Sequence, residues 1–413
     1  MKDILNIQVK NNPEKTIIIF ENKKISYRDF NYMVNNVIPV IKKNNSKYIG
    51  LQIQNKLKLL ITLIAINRSE KIPILYPNYP NLKNYIDSTG FPITIRDNSI
   101  IINKNKNNKE DISYMKNDIQ VVIFTSGSSG VPKPCQISFD NLYYSSLLWN
   151  GVIKFKKEDV YLNHMPITHV SGLCIFFRAL YNNFTMVLKA FSPSNYLNYL
   201  NNHKINLIST VPYMLKQIIQ NSNKVNFEKV KAIIIGGEHI DTIFLKLINQ
   251  YKIPGYISYG MTETCSGIAG FWATESDTYK PHNNVNINVN NNKICIQSKT
   301  VMDSYMHGEK YKNIFQTNDI VQVANNGSFI IEKRIDNIIN SGGEKFSTDY
   351  AKQLIEQLEE VKDCEIKIIK CNKWGKAIHA YIKLKIKIDK IELNNKLKSV
   401  LPNYIHPKEI FIK

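Results

Sequence analysis

Between Tyr48 and Leu75 three apolar segments follow one another: one of strand length (48–53), one of helix length (57–66) and a second short one (72–75). This βαβ rhythm requires a parallel sheet, because parallel neighbours need a crossover connection that covers a face of the sheet. The punctuation recurs downstream. The apolar run 121–124 stops at TSGSSGVPKP, the run 232–235 stops at Gly236-Gly237, and the run 256–259 stops at Gly260. Small and breaker residues after a short apolar run mark a strand feeding a loop. In α/β sheets ligands bind at such carboxyl ends, so these junctions are the first candidates for chemistry.

After about residue 334 the pattern changes. Ala351, Leu354, Ile355 and Leu358 fall on one face of a helix predicted over 348–360. Ile382, Leu384, Ile386 and Ile388 alternate with lysines, which predicts a half-buried strand over 382–388. The expected fold is therefore α/β: a large N-terminal region of parallel-sheet subdomains over residues 1–333, then a small α+β domain over 337–413. With 413 residues the chain exceeds one core of about 100–200 residues. The Asn-rich stretch 283–292 reads as a surface loop or hairpin.

Composition removes several function classes. Apolar content of 43% and charge of 21% are those of a globular chain. The first ten residues hold no apolar region of secretory length, and the run 59–66 is far below the roughly 18 residues of a membrane span. A cytoplasmic location is expected, or the plastid stroma for an organelle gene. Six cysteines without CxxC pairing argue for a reducing compartment and against zinc. The formal charge of +20 is spread along the chain rather than focused, so it predicts attraction of anionic small molecules and no nucleic-acid partner. Nothing here fixes the oligomeric state.

The sharpest local signal is Thr125-Ser126-Gly127-Ser128-Ser129-Gly130-Val131-Pro132-Lys133. Glycines allow close backbone approach to a phosphate, hydroxyls and amides donate to its oxygens, and a lysine adds a point charge. The spacing is not that of a Walker loop. Alone, the segment is either an anion cradle or a ligand-free Gly/Ser turn. It resembles the T-S-G-[ST]-T-G-x-P-K-G signature of the adenylate-forming superfamily of acyl-CoA synthetases, luciferases and adenylation domains. Four further blocks stand in that family's order: Met165-Pro166-Ile167-Thr168-His169-Val170-Ser171-Gly172, Ser258-Tyr259-Gly260-Met261-Thr262-Glu263, Thr317-Asn318-Asp319, and Arg334-Ile335-Asp336 leading to Gly342-Gly343-Glu344. A fainter echo lies at Ile25-Ser26-Tyr27-Arg28-Asp29.

The resemblance implies ATP, Mg²⁺ and coenzyme A as ligands and an acyl-adenylate intermediate. Residues 125–130 and Lys133 would hold phosphates, Thr262 the α-phosphate and Glu263 the Mg²⁺. Tyr259 and Gly260 would face adenine, and Asp319 and Arg334 the ribose. Residues 334–336 would form a hinge at Asp336 on which the small domain moves, and Gly342, Gly343 and Glu344 the loop beside the pantetheine. Within the superfamily the compact length and the H-V-S-G block, followed by Phe176-Phe177-Arg178, are most similar to o-succinylbenzoate:CoA ligases of menaquinone or phylloquinone synthesis. The acid would then meet His169, Ser171, Arg178, Gly236 or Gly237; Arg178 could equally be a surface residue.

Pro134 and Asn318 stand where the family has glycine, the second a mild change because asparagine tolerates positive φ. A third departure concerns the small domain. The family pattern runs on to a G-K motif whose lysine serves adenylation, while this sequence ends at Lys413. The domain reads as truncated before that motif, so slow adenylation is expected unless Lys413 or another lysine takes the role. A fatty or aryl acid CoA ligase, and an adenylate-binding protein with little turnover, remain the alternatives.

Overall fold

The computed structural model describes residues 3–79, 82–99, 119–126, 132–221, 226–238, 240–290, 293–334, 338–341, 344–371 and 374–413. The predicted βαβ unit is present as strands Tyr48–Gln52 and Ile72–Leu75 around helix Lys56–Arg68. The strands pair in parallel, Tyr48 opposite Ile72 and Leu51 opposite Leu75. Every residue of the helix from Leu59 to Arg68 is buried. A helix apolar all round has no face to give to water, and this one is sunk in the core.

Two twisted sheets carry the large region. A nine-stranded sheet has at its centre the strands Val160–Asn163, Leu207–Thr210, Ala232–Ile235 and Gly255–Met261, all parallel. A six-stranded sheet holds the βαβ unit together with Ile119–Ser126 and Pro132–Ser138, which pair antiparallel across the Gly/Ser-rich segment. A four-stranded antiparallel sheet follows. Its first hairpin, Asn286–Asn290 with Lys293–Gln297, is the Asn-rich stretch. The echo at residues 25–29 has a local reason: Ser26 caps helix Tyr27–Lys42 and Asp29 returns the bond, a capping box.

The C-terminal part packs around a core of its own, in which Ile339, Phe346, Leu354, Ile378, Ile382, Leu397 and Ile405 are buried together. It is an α+β unit, with five strands and helices Thr348–Glu356 and Lys390–Val400. Two boundaries differ from expectation. The helix stops at Glu356. The strand expected over 382–388 is Gly375–Leu384, with Ile386 half exposed. Its register is set by the hairpin partner Val361–Cys371, whose pairing ends at Val361 opposite Leu384, so the alternation beyond has no ladder to join. Residues 335–337, which include the expected hinge at Asp336, lie outside the described residues. Among the described residues no helix is long and apolar enough to cross a membrane.

Candidate active site

The ends of the parallel strands open into a cavity of about 250 Å³. Thr210, Gly236, Gly237, Ser258 and Gly260 line it from the nine-stranded sheet, Thr125 and Pro132 from the other, and Glu344, Phe346 and Tyr404 from the small domain. Gly237 has φ +88°, a left-handed conformation that a side chain would strain.

The residues expected to hold phosphates and Mg²⁺ lie on strands Ile119–Ser126 and Pro132–Ser138 and in the turn Thr262–Thr264. Thr125 lines the cavity near the end of strand Ile119–Ser126, opposite Lys133 on the neighbouring strand. Ser126 closes the first strand, and Gly127, Ser128, Ser129 and Gly130 lie outside the described residues. The Lys133 ammonium sits over the Tyr305 ring, 5.5 Å from its centre. The Tyr305 hydroxyl in turn donates to Glu263 Oε1 at 2.8 Å. Burial, then the Glu263 charge, push the Tyr305 hydroxyl far above its ordinary range, so it stays a donor. Glu263 is buried in the short turn Thr262–Thr264, whose Thr262 lines the cavity. Among the described residues no three His, Cys, Asp or Glu side chains converge on a common point.

Three of the residues expected to meet the acid, His169, Ser171 and Arg178, lie at or on helix Val170–Asn182. His169 occupies its N-cap in extended conformation and makes no side-chain cap bond. An N-cap that does not cap leaves its side chain for another use. Its Nε2 lies 3.6 Å from Glu344 Oε2 of the small domain. Glu344 also accepts from the Tyr79 hydroxyl at 3.3 Å. Ser171, the second residue of the helix, lines the cavity. Arg178 is not a surface residue: it is 2% exposed, yet lines the cavity. Its Nη2 donates to Ser266 Oγ at 2.6 Å, and the guanidinium lies 4.6 Å from the centre of the Trp149 ring.

Of the residues expected to face adenine, Gly260 lines the cavity and Tyr259 does not. Ser258 and Gly260 face the cavity, and strand alternation turns Tyr259 between them to the opposite side. The Tyr259 ring is buried and packs in T-shaped contacts with Tyr279 and Phe329. Its hydroxyl donates to Asp319 Oδ2 at 2.6 Å. Asp319 is buried and stands in register with Arg334 on the next strand. Gly342 and Gly343 lie outside the described residues. Lys413 does not line the cavity; it pairs with Glu365 at 2.7 Å and lies over Tyr381.

Two features escaped the sequence reading. Tyr305 is one. The other is a stack of Tyr213 and Trp374 across the two domains, ring centres 5.2 Å apart and 21° from parallel, with Lys408 4.8 Å from the Trp374 centre. Met214, next to Tyr213, lines the cavity. A tryptophan in the polar turn CNKWGK, one of three in the chain, was the available signal.

The profile of a family described as AMP-binding enzyme matches residues 76–306, more than half of the sequence. The chain belongs to that family. This AMP-binding enzyme is 25% identical over 448 aligned positions to 2-succinylbenzoate–CoA ligase of Staphylococcus epidermidis, covering 98% of this chain and 93% of that one. It is 28% identical over 323 positions to the enzyme of that name from Bacillus subtilis, covering 73% and 66%. Among solved structures, a double mutant of Bacillus subtilis o-succinylbenzoate CoA synthetase bound to a product analogue superposes with TM-score 0.90 at 22% identity, covering 100% of this chain and 95% of that one. At that identity the likeness establishes a common fold.

Proposed function

We propose that this AMP-binding enzyme condenses o-succinylbenzoate with ATP to the acyl-adenylate and passes the acyl group to coenzyme A, with pyrophosphate and AMP as the other products. The observation that carries this is Arg178. A buried guanidinium faced by the hydroxyls of Ser266 and Tyr161 and one indole face, with no carboxylate among the described residues paired to it, is costly unless a ligand anion completes it. An acid with two carboxylates meets that need, one bound by Arg178 while the other reacts. The names of the relatives support the same acid. A fatty acid would leave the charge unpaired in an apolar pocket.

In this reading Thr125, Thr262 and Lys133 orient the phosphates for in-line attack by the carboxylate. Glu263 is the residue that would hold Mg²⁺, which neutralises charge on the departing pyrophosphate. His169 and Ser171 border the reacting carboxyl. The Tyr213–Trp374 stack and Lys408 offer a flat face and a cation to the nucleotide end of coenzyme A. Six cysteines, all free thiols, suit the cytoplasm or a plastid stroma.

The test is turnover with ATP, Mg²⁺ and coenzyme A, following AMP and thioester for o-succinylbenzoate, benzoate and palmitate. The first acid is expected to lead in kcat/KM by at least about 10²-fold, and Arg178→Met to remove most of that lead. A lead for palmitate would overturn the acid assignment and leave the family standing.

A further inference from the structure

Behind the Arg178 pocket lies a pair of thiols that the adenylation chemistry does not use. Cys174 stands one helical turn before Arg178, on the same helix face. Cys265 directly precedes Ser266, the residue that holds the Arg178 guanidinium. The two sulfurs are 3.9 Å apart and both residues are buried. Cys174 also donates to the Cys265 carbonyl at 3.6 Å, and Ser145 donates to that same carbonyl at 2.7 Å. The turn is strained: Cys265 has φ +51° and Ser266 φ +104°, two consecutive non-glycine residues in the left-handed half of the map. Strain of this kind, stored where a side chain must be held for function, lets a small covalent change move the turn.

Cys174 differs from the buried cysteines elsewhere. Cys135 and Cys364 are buried singly, and burial pushes both thiols up. Cys174 is moved the other way, first by the hydrogen bond from Cys265, with the Arg178 charge adding to it against the opposing effect of burial, while the same hydrogen bond and then burial push the Cys265 thiol well up. Thiolate character is what reacts with peroxides. Ser266, Gly267 and Arg178 line the cavity, so a small neutral oxidant reaches the residues that cover the sulfurs.

We propose that Cys174 and Cys265 form a modification site at which hydrogen peroxide closes a disulfide that withdraws Ser266 from Arg178 and weakens binding of the acid. The Cys174 sulfur attacks one peroxide oxygen; the O–O bond breaks, sulfenic acid forms, and the departing hydroxide leaves as water with the thiol proton. The Cys265 sulfur then attacks the sulfenic sulfur; the S–O bond breaks, the S–S bond forms and a second water leaves. Two thiols are oxidised by two electrons and one peroxide is reduced to two waters. A disulfide bond is about 2.0 Å long, so the sulfurs must approach by about 2 Å. The helix is packed on all sides, whereas the turn at 265–266 is the strained partner, so the turn moves.

The effect on acid binding rests on the Arg178 reading; formation of the disulfide does not. The intact enzyme is treated with hydrogen peroxide, alkylated and peptide-mapped, and the KM for o-succinylbenzoate is measured before and after. We expect a Cys174–Cys265 cross-linked peptide, a KM raised about tenfold, the loss of one charged hydrogen bond, and recovery of both with dithiothreitol. Cys174→Ala, or Cys265→Ala if the first folds poorly, should keep its KM under peroxide. Oxidation of Cys295 and Cys371 while Cys174 and Cys265 stay alkylatable would overturn the site. A cross-link without a change in KM would overturn the coupling to the acid pocket. Absence of turnover with o-succinylbenzoate in untreated enzyme would count against the acid assignment alone, since the peptide map is read independently.

Discussion

Glu263 accepts a hydrogen bond from the hydroxyl of Tyr305, whose ring also lies under the Lys133 ammonium. Replacing Glu263 by Gln removes a charge from a site where charge develops. Adenylate formation should fall by about 10²- to 10³-fold. ATP–pyrophosphate exchange measures it, and a rate near that of the parent would take Glu263 out of the mechanism. Tyr305→Phe keeps the ring under Lys133 and loses only the bond, so a fall of about tenfold is expected in the same exchange, with the KM for coenzyme A unchanged.

At the scale of elements, helix Val170–Asn182 is the part on which the proposed acid pocket depends. It begins at a histidine that does not cap, and carries Ser171 and Arg178 toward the cavity. Gly172 lets it start there. A Cβ at this position would lie 2.2 Å from the Pro166 carbonyl oxygen, a contact with backbone that no rotamer change relieves. Gly172→Ala is therefore expected to cost about 1–3 kcal/mol, visible as a lower urea midpoint. A stability equal to the parent's would show that the loop 165–169 gives way, and that the helix start is less constrained than it looks.

For the whole molecule, two buried histidines set the acid limit. His164 lies among Phe191, Tyr196 and Lys56, and His282 shares a 2.8 Å hydrogen bond with the Tyr256 hydroxyl. Burial pulls both down to about 3, helped by the Lys56 charge on His164 and the Arg178 charge on His282. Between the ordinary histidine value of about 6.5 and these values the unfolded chain binds more protons than the native one, so stability falls as pH falls. Each histidine should contribute a slope of about 1.4 kcal/mol per pH unit in that window. Urea unfolding of the parent and of His282→Gln between pH 7 and 5 tests this; the variant should lose about one such slope, and parallel curves would refute it.

The sequence by itself determined the α/β class, the strand-to-loop junctions and the order of the blocks, because these depend on near neighbours. A run of apolar residues ended by glycines makes a strand end wherever it is placed, and the capping box at Ser26 and Asp29 spans one helical turn. What only the tertiary structure decided was where charge is buried and what answers it. Tyr305 and Glu263 are 42 residues apart, Arg178 and Ser266 88, and Tyr79 and Glu344 265. No periodicity relates such positions, and the burial of Arg178, on which the acid assignment depends, comes from the packing of one helix against a distant turn.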